Sequence, residues 1–391
     1  MKLLRTSAEN GMRTAFAAAF LVFIAVFACL LVPKLTVRNV RHSASVFPLK
    51  KLFVELNGAC CRMGGRRLCN GAVKVGNGML VRPNDIRLNG QAAAAVAFAG
   101  WLRKRGIEYV YVQLPCKMDL GGKMCPACFT HTSYQAADGL LAELSNGGVE
   151  MIDLRPELAS DSERVRRFFY RTDHHWNNDA VFFAFRRVAS RLGYEVNDAD
   201  WTRSTVADCF LGSTGRRTGR WFCGKDDMIL YYPKFKTQMS LDIPSAHLHV
   251  VGSFQQTNMR NASKIHPGEV NERAYSEAYV GEIAPIAFHR NETAPVRRRV
   301  LVIGDSFVRP LEAFLSTAVT DLCVVDPRRY RKGTIADCVR SFKPDIVLQM
   351  QNPSTLTNDY HGGKPSGRSA FFTYGISAFR RPEISKVKGG G

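Results

Sequence analysis

Apolar and polar positions alternate along this chain with two different periods, and the switches between them predict the order of its elements. The Ala-rich stretch from Gly90 to Arg105, with Gly106 as a stop, predicts a helix. Glu108 to Leu114 (Glu-Tyr-Val-Tyr-Val-Gln-Leu) reads as a strand closed by Pro115. Ser133 to Ser145 predicts a second helix, stopped at Gly147-Gly148, and Val149 to Leu154 a second strand. From Asn178 to Leu192, Val181, Phe182, Phe185, Val188, Ala189 and Leu192 recur at helical spacing, and Gly193 follows. The rhythm returns late in the chain: strand Val300 to Ile303, helix Arg309 to Val319, strand Leu322 to Asp326, helix Thr334 to Phe342, strand Asp345 to Met350. Short apolar strands alternating with helices predict an α/β fold whose parallel sheet is covered on both faces. Residues 201–296 break this pattern. They are rich in Gly, Thr and Arg, with short β-like runs at Met228–Tyr232 and His247–Val251, and read as an irregular insertion capping the site.

A different pattern opens the chain. Lys2, Arg5 and Arg13 precede an unbroken apolar run from Ala15 to Val32, ended by Pro33-Lys34. Its 18 residues are near the lower limit for a spanning helix and exceed a usual signal-peptide core, so residues 1–33 are expected to be an uncleaved membrane anchor. Residues 34–50 then read as a polar, basic linker, residues 51–360 as the folded domain and residues 361–391 as a C-terminal tail. Cys29 lies in the apolar run. Ten further cysteines after an export signal are expected to form disulfides, which puts the bulk of the chain outside the cytoplasm. Net charge is +20, but the basic residues are scattered and form no nucleic-acid module, so a surface near anionic lipid or an acidic polymer is the better reading.

Two short stretches carry the chemistry. Val300-Leu-Val-Ile-Gly-Asp-Ser-Phe307 is a strand running into a tight turn, where Ser306 would stand at a helix N-terminus whose free N–H groups can stabilise an oxyanion. Tyr170-Arg-Thr-Asp-His-His-Trp176 supplies a carboxylate and two imidazoles just before a helix. Serine, imidazole and carboxylate are the parts of an acyl-transfer triad. The bland alternatives are a capping Asp-Ser turn, an Asp that N-caps the helix from Asn178, or paired histidines on a metal. No HExxH-type spacing is present, and no metal or other cofactor is expected. Cys125-Pro-Ala-Cys128 lacks a preceding strand and reads as structural rather than redox-active.

The pairing of Tyr-Arg-Thr-Asp-His-His-Trp with Val-Ile-Gly-Asp-Ser-Phe resembles the DHHW proteins of the alginate O-acetyltransferase-like branch of the SGNH hydrolase superfamily. Pro115-x-Lys117 and Gly212-Ser-Thr-Gly-Arg-Arg-Thr-Gly219 look similar too, so the resemblance spans roughly residues 50–355. It implies a flavodoxin-like sandwich, with Asp173 the orienting acid, His175 the base and Ser306 the nucleophile. His174, Lys117 and Asn352 are further candidates for substrate or oxyanion binding, Asn352 also reading as an ordinary Asn-Pro turn residue. The implied activity is transfer of acetyl from a membrane-embedded donor protein to a cell-surface glycan. The alternatives are a carbohydrate esterase with the same triad, or a non-catalytic glycan-binding protein.

Overall fold

The computed structural model describes residues 49–356 and 370–376, apart from Asn77, Arg87, Asn89, Cys125, Cys128, Thr130, Glu282 and Ile283. The expected anchor, nearly all of the linker and the Cys125/Cys128 pair therefore lie outside the described residues. Among those described, no helix is long and apolar enough to cross a membrane.

Eight strands form the central sheet: β1 (Glu108–Gln113), β2 (Glu150–Asp153), β3 (Met239–Ile243), β4 (Leu248–Gly252), β5 (Ile286–Asn291), β6 (Val296–Gly304), β7 (Val319–Val325) and β8 (Ile346–Gln351). Their spatial order is β2-β1-β8-β6-β7-β5-β3-β4. The first five are mutually parallel, with Val302 of β6 opposite Leu348 of β8 on one side and Val324 of β7 on the other. The last three join antiparallel. The sheet is thus mixed, which corrects the expectation of a parallel sheet under a separate cap. Residues 201–296 supply β3, β4 and β5; β5 pairs with β7, whose ladder would otherwise end the sheet unpaired, and β3 and β4 follow outward. A short turn at Pro244–Ala246 suffices to join β3 to β4, as antiparallel pairing allows. The rest of the insertion includes a long ribbon, Trp201–Phe210 against Asp226–Pro233.

Alternate residues of the strands feed two cores. Val110, Val302, Val324 and Leu348 face α4 (Asn178–Leu192) and α5 (Val308–Ala318). Tyr111, Leu301, Cys323 and Val347 face α2 (Gln91–Arg103), α3 (Ser133–Asn146) and α6 (Ile335–Phe342). The period of two along each strand is what divides one chain between two layers. Residues 370–376, expected to be tail, belong to the second core: Phe371 and Phe372 are buried, and Tyr374 stacks on Phe98 at 4.0 Å between ring centroids. An unpredicted helix, α1 (Lys50–Met63), packs on the segment around Thr218–Cys223, beside a small sheet of Leu68–Cys69, Ala72–Lys74 and Leu80–Val81.

The expected disulfide set is not present among the described residues. Cys60, Cys61, Cys69, Cys116, Cys209, Cys223, Cys323 and Cys338 are all free thiols. All but Cys60 are buried and pack as small apolar side chains, so their number reflects core composition.

Candidate active site

Ser306 stands at the carboxyl end of β6, where open α/β sheets place ligand sites. The turn must be tight: a Cβ on Gly304 would lie 2.5 Å from Val308 Cγ2. Asp305 is buried and staples the turn. Its Oδ1 accepts from the Phe307 N–H (2.9 Å), and its Oδ2 accepts from the Asn352 N–H (3.0 Å), Asn352 Nδ2 (2.6 Å) and Thr355 Oγ1 (3.1 Å). Burial raises the pKa of its carboxyl, against the opposing pull of Arg328 and these donors. The side chain of Ser306 is left to face the second motif.

That motif is a loop between the short helix Ser162–Phe168 and α4. A bridge between Phe169 and Trp176 closes it, and Trp176 Nε1 donates to the Phe307 carbonyl at 3.0 Å, tying the two motifs together. Asn177 caps α4 by accepting from the Asp179 and Ala180 N–H groups, so Asp173 is not the cap. Asp173 points inward instead. Its Oδ1 lies 2.5 Å from His175 Nδ1, and His175 Nε2 lies 2.8 Å from Ser306 Oγ. Its Oδ2 accepts from the Ser213 N–H. Burial alone would raise the Asp173 pKa, but His174, His175 and these hydrogen bonds hold it well below the usual carboxylate range. Asp173, His175 and Ser306 therefore form one continuous line of hydrogen-bonding groups.

The loop is held from outside itself. Asp226, in the ribbon, accepts from the Arg171 N–H (2.8 Å) and from the Thr172 N–H (2.7 Å) and Oγ1 (2.5 Å). Lys117 is buried, and its Nζ donates to the carbonyls of Arg171 (2.6 Å) and Asp173 (2.7 Å). Burial pushes its pKa down to about 8, against the raising charges of Asp226 and Asp173. Tyr275 lays its ring on His175, centroids 4.0 Å apart at 16°, and its hydroxyl reaches the Ser306 carbonyl at 3.2 Å. Gly212 passes so close that a Cβ would meet Asp173 Cβ at 2.3 Å.

The remaining expected residues fall around this line. His174 is half-exposed, with Nδ1 on Ser213 Oγ at 2.8 Å, and it lines the cavity beside the serine. Asn352 also lines that cavity, but its amide bridges Asp305 and the Ser354 N–H, the Asn-Pro turn role. Asp173, His174 and His175 bring polar atoms within 4.8 Å of one another, a set able to hold a metal ion; both nitrogens of His175, however, already face Asp173 and Ser306. Sequence reasoning missed Tyr275 and Asp226 altogether. Gly212 fell within a flagged stretch, whose repeated glycines were the available signal.

The cavity has a volume of about 420 Å³, and Arg82, Lys117, Arg217, His131 and His174 line it with no carboxylate among its lining residues. His174, Ser213 and Phe307 place it next to the triad, whereas a larger cavity of about 700 Å³, around Val75, Met124 and Phe129, is lined by none of these neighbours.

The fold and site together define an α/β protein with a mixed sheet and a Ser-His-Asp line at the carboxyl end of its central strand, and part of the chain is similar to SGNH hydrolase-like proteins. Residues 76–207 match a family model described as "SGNH hydrolase-like domain, acetyltransferase AlgX". The match includes Asp173 and His175, and Ser306 lies beyond it. No curated protein matches the chain. Among solved structures it is similar to Bacillus cereus PatB1, at 17% identity and a TM-score of 0.63 over 78% of this chain and 99% of that one. The same protein with a sulfonyl adduct aligns at 17% identity and 0.60, over 73% and 97%. A DHHW family protein from Eubacterium siraeum aligns at 15% identity and 0.54, over 73% and 92%. The expected resemblance to the DHHW and acetyltransferase branch is borne out.

Proposed function

We propose that this protein is an extracytoplasmic O-acetyltransferase that carries an acetyl group on Ser306 from a membrane-embedded donor protein to a hydroxyl of a cell-surface or exported glycan. The observation that carries the reading is the unbroken line Asp173–His175–Ser306, whose neighbours His174, Ser213 and Phe307 line a cation-rich cavity. The Ser306 hydroxyl attacks the acetyl carbonyl and gives its proton to His175 Nε2, while Asp173 holds the Nδ1–H. The tetrahedral oxyanion collapses, and the leaving group takes the proton from His175. The acceptor hydroxyl then gives its proton to His175 as it attacks the acetyl-serine, and Ser306 leaves with that proton. Arg82, Lys117 and Arg217 suit an acceptor bearing carboxylate or phosphate groups.

The sulfonyl adduct of PatB1 suggests a direct test. A sulfonyl fluoride should label Ser306 and no other serine at comparable rate. Incubation with an acetyl ester should add about 42 Da to the peptide carrying Ser306, as expected for an acyl-enzyme, and Ser306→Ala should abolish it. An oligosaccharide acceptor should clear the adduct faster and yield acetylated sugar. Clearance to free acetate at a rate indifferent to sugar would make the protein an esterase. Absence of adduct, turnover and product together would leave only a glycan-binding role.

A further inference from the structure

Helix α1 has two apolar faces. On the inner one, Gly58 and Cys61 are buried, and a Cβ on Gly58 would lie 2.2 Å from the Thr218 carbonyl oxygen, so the helix rests directly on backbone. Leu52, Leu56 and Met63 fall on the opposite side by helical spacing and are 47%, 44% and 87% exposed, with the exposed Cys60 beside them. An exposed helix face is normally polar, so an apolar stripe there calls for a partner. Charge identifies it. From Lys34 to Arg67 the sequence has eight Lys or Arg and a single carboxylate, Glu55. Glu55 turns inward, accepting from the Arg220 and Trp221 N–H groups. The apolar run Ala15–Val32 ends only 17 residues before Lys50.

We infer that α1 is a second membrane contact: it lies flat on an anionic bilayer, with Leu52, Leu56 and Met63 entering the headgroup–acyl boundary and the flanking cations meeting lipid phosphates. Interfacial helices bind in this way, and basic segments beside a membrane anchor add attraction to anionic lipid. The surface also orients the site. Residues 215–223, on which α1 packs, include Arg217 of the cavity beside Ser306, so one layer of chain would separate the bilayer from the cavity wall. An acyl group delivered from the membrane would then have a short path to Ser306.

The test uses the full chain reconstituted in nanodiscs of phosphatidylcholine alone or mixed with phosphatidylglycerol. The readout is alkylation of Cys60 by a water-soluble maleimide, resolved by site in mass spectra. Cys60 should react about tenfold more slowly in the anionic discs, as expected for a stripe seated at the interface. High salt, or the combined variant Leu52→Asp, Leu56→Asp, Met63→Asp, should remove the protection. Equal reactivity in both kinds of disc overturns the inference. If Cys60 is slow in both, another part of the chain covers the stripe; if it is fast in both, nothing does. Sulfonyl labelling of Ser306, measured on the same samples, should be unchanged in the variant, so failure of the surface is distinguishable from failure of the chemistry.

Discussion

The serine turn and the histidine loop meet through the His175–Ser306 and Trp176–Phe307 hydrogen bonds, yet they are built in opposite ways. The serine turn is a local object: a buried strand, a glycine that must be small and an aspartate that ties the turn to the next strand. The histidine loop has little internal structure beyond one bridge. Its shape comes from Asp226, Lys117, Ser213 and Tyr275, all distant in sequence. In the proposed mechanism the nucleophile is thus set by local geometry, while its base is aimed by the rest of the molecule.

The largest effects should come from the line itself. Ser306→Ala and His175→Ala should each lower turnover of an acetyl ester by about 10⁴–10⁶-fold, since members of such a unit fail together. His174→Ala should stay within a few-fold, because His174 bonds to Ser213 and lies off the line. Equal loss from both histidines would break the assignment, and a chelator titration would then test a metal site.

The support of the loop comes next. Asp226→Ala strips the acceptor from three donors and should cost about 1–3 kcal/mol in stability. A loop shifted by an ångström should also lose about 10²-fold in turnover, measured by ester kinetics on folded protein. Unchanged kinetics would mean that the loop aims itself. Tyr275→Ala should lose about tenfold, and Tyr275→Phe, which keeps the ring, less, with stacking of this kind contributing about 0.5–1.5 kcal/mol. Identical losses would assign the effect to the hydroxyl instead.

The smallest effect is in pH dependence. With Lys117 at about 8, below the ordinary lysine value of about 10.4, the unfolded state binds more protons between those limits. This group's contribution to stability therefore rises with pH from about 8 to 10. Melting temperatures measured across that window should show the rise in the wild type and lack it in Lys117→Met. A rise of equal size in both would exclude Lys117 as its source.

The same contrast explains what could be read from the sequence. The five parallel strands and their helices were legible because each is a local run with its own period. Gly304, Asp305 and Ser306 were legible for the same reason. Tyr275 sits about 100 residues from His175 in an irregular stretch, and nothing in its neighbours signals stacking on an imidazole. Of the antiparallel strands in residues 201–296 only β4 coincides with a run read as β-like, His247–Val251, and the place of all three at the sheet edge depends on β7 having an open side. Helix α1 escaped detection because its apolar residues fall on two faces: Gly58 and Cys61 within, Leu52, Leu56 and Met63 without. Burial, and not oxidation, accounts for seven of the eight described thiols, which composition alone could not separate.

The stacking of Tyr374 on Phe98, with Phe371 and Phe372 buried nearby, bears on the order in which the protein can be finished. One of the two hydrophobic layers is closed by Phe371, Phe372 and Tyr374, which follow every strand of the sheet in the chain. During synthesis that layer cannot be completed until residues 370–376 have emerged, about 70 residues after Ser306. Until then the nascent chain exposes the flank of Phe98 and the apolar side of α2. A product ending before residue 370 would leave Phe98 without its covering ring.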